Sequence, residues 1–119
     1  MRRFAIAALA TVAIASAAVA HPRPQAASPA PDAVLSTSPS EIRITFSEGL
    51  VAAFSAIELK DAAGKAFALG PSTVDLKNKR QLVAPVTNLL PAGTYTVSWR
   101  AVGDDTHHVS GHYSFQVKP

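Results

Sequence analysis

The longest alternating stretch of the chain, Thr94–Val102, sets the strongest limit on its fold. Apolar Tyr95, Val97, Trp99 and Ala101 alternate with polar residues until the final valine. Successive side chains of a β-strand point to opposite faces, so this spacing predicts a strand with one buried and one solvated face. A chain with such a strand needs a second layer to cover the apolar face.

Further short strands show the same pattern and are separated by turn residues. Apolar and polar residues alternate in Glu41–Phe46, and His112–Val117 directs Tyr113, Phe115 and Val117 inward. The other predicted strands are Ser55–Lys60, Lys65–Leu69 and Gln81–Val86. About seven short strands without an amphipathic helix predict an all-β domain, an immunoglobulin-like or Greek-key antiparallel β-sandwich or barrel.

The first 20 residues have the layout of a secretory signal peptide. Arg2 and Arg3 precede an apolar run that ends in Ala18-Val19-Ala20. A basic start, an apolar middle and an A-x-A site are typical of a cleaved leader, and the run is short for a membrane span of about 20 residues. We therefore expect a signal peptide over 1–20 and a domain over 21–119 that begins with His21.

Composition excludes several function classes. Removal of Arg2 and Arg3 lowers the formal charge from +3 to +1. A domain with so small a charge lacks the clustered basic residues that nucleic-acid binding requires, so this function is excluded. The chain has no Cys, so disulfides cannot stabilise it, and its one methionine is Met1. Without sulfur donors the mature domain is unsuited to Cu(I), and nitrogen and oxygen ligands remain.

Acidic and imidazole side chains are concentrated between the last two predicted strands. The segment Val102–Gly111 reads Val-Gly-Asp-Asp-Thr-His-His-Val-Ser-Gly, with Asp105 and His107 two residues apart. In an extended backbone such residues point to the same side, where one ion can contact both. We expect the loop over 103–111 at one end of the sandwich, although Asp105 could instead cap a turn. Two side chains do not complete a metal site, so further ligands must come from elsewhere.

Several motifs are spread over the chain that follows the leader. They are the N-terminal His, Ser28-Pro29, the run Ile-Arg-Ile-Thr-Phe-Ser-Glu ending at Glu48, Leu90-Pro91-Ala92-Gly93-Thr94-Tyr95, and Asp105-Thr106-His107 before Gly111-x-Tyr113-Ser114-Phe115. In combination they resemble the CopC copper-resistance proteins. The resemblance implies a periplasmic β-sandwich that binds Cu(II) through the α-amine and imidazole of His21, Asp105 and His107, with Glu48 supporting the ligands.

The chemistry of these groups agrees with the resemblance. Two imidazoles, one amine and one carboxylate form a nitrogen and oxygen set that favours Cu(II). The nitrogen of Pro22 carries no hydrogen, so the backbone cannot replace the amine with an amidate ligand. Pro24 also lacks a backbone donor, and we expect it to loosen the pairing of the His21 segment with the sheet.

Three kinds of function fit these residues. The resemblance implies a periplasmic, non-enzymatic monomer that sequesters or carries copper in copper resistance and delivers it to an inner-membrane copper transporter. An N-terminal His chelate also serves copper-dependent oxidoreductases, but Asp105 would fill the open position that a catalytic metal needs. A metal-free interaction module is the third alternative and has no use for a processed His21. His108 and His112 are either solvated surface residues or, with Asp104, a secondary ion site.

Overall fold

Two sheets packed face to face make up residues 21–119, the part of the chain that the computed structural model describes. Within that range there are nine strands, one short 3-10 helix over Ala52–Phe54 and no α-helix. The strands are β1 Pro24–Ser28, β2 Val34–Leu35, β3 Glu41–Phe46, β4 Ala56–Asp61, β5 Ala66–Phe67, β6 Thr73–Val74, β7 Gln81–Pro85, β8 Gly93–Val102 and β9 His108–Val117. The predicted all-β sandwich is confirmed.

The strand order is β1-β3-β7-β6 in one sheet and β2-β9-β8-β4-β5 in the other. All pairs of named strands are antiparallel except β2 and β9, which are parallel. The parallel pairing is confined to the short edge strand β2. β2 is only two residues long, and two residues cannot show the alternation from which a strand is predicted.

The core lies between the two sheets and is built from the predicted inward residues. In β8, Val97 and Ala101 are fully buried, and Tyr95 and Trp99 are nearly so. From the facing sheet, Phe46 at the end of β3 packs edge-on against Trp99, with ring centroids 5.1 Å apart. Burial of each large apolar side chain contributes about 1.5–3 kcal/mol. The alternating pattern of β8 thus supplies a large part of one wall of the core.

The connection between β8 and β9 is shorter than the expected loop over 103–111. The two strands pair as far as Val102 and His108, so only residues 103–107 connect them. Gly111, which suggested a loop, lies within β9 opposite Trp99. A Cβ atom at Gly111 would stand 2.5 Å from the indole ring, so glycine is required there to admit the ring, not to form a turn.

The proline-rich start of the domain forms an edge strand, a position where the missing backbone donor of proline is tolerated. β1 is the outermost strand of its sheet and pairs with β3, with Pro24 opposite Phe46. Its first residues therefore lie at the end of β3, beside the connection that leaves β8. This end of the sandwich brings together the N-terminal segment and the β8–β9 connection.

The predicted signal peptide lies outside the described residues, so its cleavage stays a prediction. Within residues 21–119, no helix is long and apolar enough to cross a lipid bilayer.

Candidate metal centre

Three chain segments meet at the end of the sandwich where β3 and β8 finish. They are residues 21–23 before β1, residues 47–51 after β3, and the β8–β9 connection over 103–107. The backbone N–H of Asp104 donates to the carbonyl of Gly49 at 3.1 Å, which joins the second segment to the third. The N–H of Ser47 donates to the carbonyl of Arg23 at 2.8 Å, which joins the second to the first. Every predicted metal ligand lies in one of these segments.

A tight turn, not an extended backbone, brings Asp105 and His107 together. The residue between them, Thr106, has a φ of +70°, which reverses the chain locally. The turn is closed by backbone hydrogen bonds from Thr106 to the carbonyl of Gly103 at 2.9 Å and from Gly103 to that of His107 at 3.1 Å. The predicted proximity of the two side chains is present, but the extended geometry from which it was inferred was wrong. A β-branched residue at positive φ is unusual, so sequence alone does not predict this turn.

The Asp105 carboxylate and the His107 ring form a hydrogen-bonded pair. Nδ1 of His107 lies 2.8 Å from Oδ2 of Asp105, and Oδ1 accepts the backbone N–H of His107 at 3.3 Å. The side-chain bond to His107 is the main reason why the pKa of Asp105 lies below its ordinary value, and the backbone bond adds to it. The pair thus presents a carboxylate and an oriented imidazole at a partly exposed position. The capping role considered for Asp105 is also present, through its bond to the His107 N–H.

Glu48 lies next to this pair, and one oxygen of its carboxyl group has no hydrogen-bond partner among the described residues. Its Oε1 atom is buried and has no hydrogen-bond partner within residues 21–119. Burial, followed by the negative charge of Asp105 and a side-chain hydrogen bond to it, raises the pKa of Glu48. Two ionised carboxylates are both acceptors, so a proton or a cation is needed to stabilise them at short range. A buried acceptor next to Asp105 therefore fits a cation-binding end of the domain.

Gly103 makes the close approach of Glu48 possible. A Cβ atom there would overlap Oε1 of Glu48 and would stand 3.0 Å from Oδ1 of Asp105. The space that a side chain would fill is occupied by the two carboxyl groups. This role of Gly103 is not evident from the sequence, because a lone glycine next to a turn usually signals the turn itself.

His21 stands against His107 at the same end. Their ring centroids are 4.8 Å apart in an edge-on arrangement. The next residue, Pro22, is fully buried, and the hydroxyl of Ser47 contacts the carbonyl of His21 at 3.3 Å. The segment is therefore held more firmly than its prolines led us to expect.

No group of three or more His, Cys, Asp or Glu side chains within residues 21–119 is arranged to hold a metal ion. Asp105 and His107 are hydrogen-bonded to each other. The assignment of His21, Asp105 and His107 as ligands, with Glu48 in support, stays a prediction.

His108 and His112 lie apart from this arrangement. Both are exposed, and both belong to β9. Four residues along a strand correspond to about 13 Å, too far for the two rings to share an ion. Their geometry favours the solvated-surface alternative over a secondary ion site.

Comparison with known proteins gives a consistent result. The CopC domain family model matches residues 25–118. Copper resistance protein C of Escherichia coli is 36% identical over 111 residues, which cover 88% of this chain and 87% of that protein. Protein YobA of Escherichia coli (strain K12) is 33% identical over 116 residues, which cover 98% of this chain and 94% of that protein.

Solved structures agree with the sequence matches. The crystal structure of CopC from Methylosinus trichosporium OB3b superposes with a TM-score of 0.78 at 29% identity, covering 83% of this chain and 95% of that one. PcoC, a methionine rich copper resistance protein from Escherichia coli, superposes with a TM-score of 0.75 at 34% identity, covering 83% of this chain and 100% of that one. The predicted resemblance is confirmed, and the chain belongs to the CopC family.

Proposed function

We propose that the protein is a periplasmic copper-resistance protein that binds Cu(II) at the end of its sandwich. The ligands are the α-amine and imidazole of His21, a carboxylate oxygen of Asp105 and the imidazole of His107. One observation supports this most strongly: the ring centroids of His21 and His107 are 4.8 Å apart, and the His107 ring is hydrogen-bonded to Asp105. Membership in the CopC family supports a copper-binding role in copper resistance without catalysis.

The oxidation state follows from the donor atoms. Imidazole, amine and carboxylate groups suit Cu(II), whereas Cu(I) prefers thiolate and thioether sulfur. The related PcoC is described as methionine rich, but the only methionine here is Met1, and the chain has no cysteine. Cleavage of the leader would leave no sulfur at all, so the mature domain is proposed to hold Cu(II) only.

Cleavage after Ala20 would complete the ligand set. It converts the amide nitrogen of His21 into a free amine next to its own imidazole, and the amine must lose a proton to bind the ion. The buried, uncompensated Oε1 of Glu48 supports a cation nearby, because positive charge would stabilise both carboxyl groups. The leader therefore controls where binding is possible: only the exported form has the complete chelate.

The cellular role that fits these properties is that of a monomeric carrier or buffer. Bound copper would pass to an inner-membrane copper transporter, which agrees with a site at the exposed end of a small domain. The copper-dependent oxidoreductase alternative is less favoured, because Asp105 would occupy a position that a catalytic copper keeps open.

The decisive test compares two forms of the protein, one that begins at His21 and one that carries a single extra Gly before it. We expect the first to bind one Cu(II) with a tetragonal electron paramagnetic resonance spectrum, and to bind Cu(I) weakly. The extended form should bind Cu(II) at least tenfold more weakly, a loss of about 1.4 kcal/mol or more. Its metal-free melting temperature should be unchanged, since the extension adds no contact. Equal affinity in the two forms would exclude the N-terminal chelate.

Two substitutions test the other half of the site. Asp105→Ala and His107→Ala should each weaken Cu(II) binding in competition titrations, while circular dichroism shows an intact fold because both side chains are partly exposed. His112→Ala, on β9 and away from the connection, is the matched control. Unchanged affinity in both site variants would remove the connection from the metal site.

A further inference from the structure

The hydroxyl group of Ser47 acts as both hydrogen-bond donor and hydrogen-bond acceptor to the N-terminal segment. Oγ of Ser47 accepts the backbone N–H of Arg23 at 2.9 Å and donates to the carbonyl of His21 at 3.3 Å. The backbone N–H of Ser47 donates to the carbonyl of Arg23 at 2.8 Å. Both capacities of the hydroxyl, donor and acceptor, are therefore used by the same three-residue segment.

These bonds take the place of a ladder that proline interrupts. Pro24 begins β1 opposite Phe46 but has no N–H with which to continue the pairing toward the N-terminus. Ser47 directly follows Phe46 and extends the contact to Arg23 and His21. Between those two residues Pro22 is fully buried, so the segment is fixed by packing as well as by hydrogen bonds.

The consequence for His21 is geometric. The carbonyl of His21 is hydrogen-bonded to Ser47, and Pro22 is fixed by burial. The backbone nitrogen of His21 can therefore move mainly by rotation about the Cα–C bond of that residue. The ring already lies against that of His107. The neighbour of Ser47 in the chain, Glu48, contacts Asp105 on the other side of the site. Ser47 and Glu48 thus connect the two halves of the proposed ligand set.

We propose that Ser47 is the positioning residue of the N-terminal chelate: it fixes the main chain of His21, so that the amine released by leader cleavage faces Asp105 and His107 before copper arrives. This assignment rests on the proposed function. Ser47 does not contact the ion itself. It lowers the cost of ordering the ligand, which a free chain end would otherwise oppose on binding.

The experiment is a double-mutant cycle between Ser47→Ala and the N-terminal Gly extension. Residues 21–119 contain both sheets and the core, so the protein that begins at His21 keeps every described contact. In that form Ser47→Ala should weaken Cu(II) binding about three- to tenfold, the worth of one or two hydrogen bonds. In the Gly-extended form the same substitution should change the affinity less than twofold, because the chelate is already lost. Ser47→Thr, which keeps the hydroxyl, should restore binding.

Ser38→Ala is the matched control. Oγ of Ser38 accepts the backbone N–H of Leu90 at 2.9 Å and lies before β3, at the opposite end from Ser47. Loss of this hydrogen bond in Ser38→Ala should lower the metal-free melting temperature about as much as Ser47→Ala does, and it should leave the Cu(II) affinity unchanged.

An equal loss of affinity from Ser47→Ala in both N-terminal forms, or no loss in either, would overturn the assignment. The Gly extension alone decides the separate question of the proposed function. If the extension weakens binding and Ser47→Ala does not, only the role of Ser47 is refuted. If the extension has no effect, the chelate on which that role depends is refuted with it.

Discussion

Gly103 is the position where one added methyl group tests the packing of the site most directly. A Cβ atom there would overlap the Glu48 carboxyl and approach Asp105 to 3.0 Å. The backbone cannot easily move away, because the Gly103 N–H and carbonyl both take part in the turn that contains Thr106. The carboxyl groups must therefore move when Gly103 is replaced by Ala.

The size of the effect follows from two opposing terms. Gly103 does not have a positive φ, so Ala is compatible with its backbone and would by itself stabilise the protein by about 0.4–1 kcal/mol. Forcing a methyl group into occupied space costs about 1–3 kcal/mol. We expect Gly103→Ala to lower the free energy of unfolding by about 1–2 kcal/mol and to weaken Cu(II) binding, because Asp105 is displaced.

Urea denaturation of the metal-free protein measures the change in the free energy of unfolding, and competition titration measures the change in Cu(II) affinity. The control is the same substitution in a Glu48→Ala background, where the overlapping carboxyl is absent. In that background Gly103→Ala should lower the free energy of unfolding by no more than half of the amount seen when Glu48 is present. An equal loss in both backgrounds would show that the overlap with Glu48 is not the cause.

Three further predictions concern the same end of the domain. Thr106→Gly should raise the free energy of unfolding by about 0.5–1 kcal/mol in urea denaturation, because the strain of a positive φ exceeds the added chain entropy; a decrease would contradict the turn. Glu48 has a raised pKa in the folded state, so its contribution to stability is present below the unfolded pKa of about 4.3 and is lost as pH rises through the folded value. Relative to Glu48→Gln, the metal-free protein should therefore lose unfolding free energy as pH rises from 4 toward 7, whereas a constant difference would exclude the shift. His108→Ala should leave the Cu(II) stoichiometry at one per chain in a spectroscopic titration, and a fractional loss would revive the secondary site.

The strands that were predicted well are those with strong alternation. Glu41–Phe46 was predicted with the observed bounds of β3, and β8 begins one residue before its predicted start. In both strands one face packs on the core between the sheets and the other is less buried, so apolar and polar residues alternate along most of their length. β2 and β6 were missed because each has only two residues. Their positions are determined by longer neighbours and not by their own side chains.

The proximity of Asp105 and His107 was predicted from the sequence, but the backbone geometry that produces it was not. Asp105 and His107 could be identified because histidine is scarce in this chain and because the two residues stand two positions apart. The positive φ of Thr106 runs against local preference, so the sequence pattern pointed to an extended backbone there. Ser47 was missed because its bonds to His21 and Arg23 span more than 20 residues. A contact of that kind leaves no periodic signal along the chain.

The short strand β1 near the N-terminus has a further consequence for the behaviour of the protein in a crowded compartment. β1 is an outer strand, and an outer strand exposes backbone groups on which another chain can add as a new strand. Here β1 has only five residues, and the register shift between Pro24 and Ala26 interrupts its regular geometry. Both features make β1 a poor template for strand addition by a second molecule. The edge of the sheet next to the N-terminal segment is therefore protected against sheet-to-sheet aggregation by its own irregular backbone.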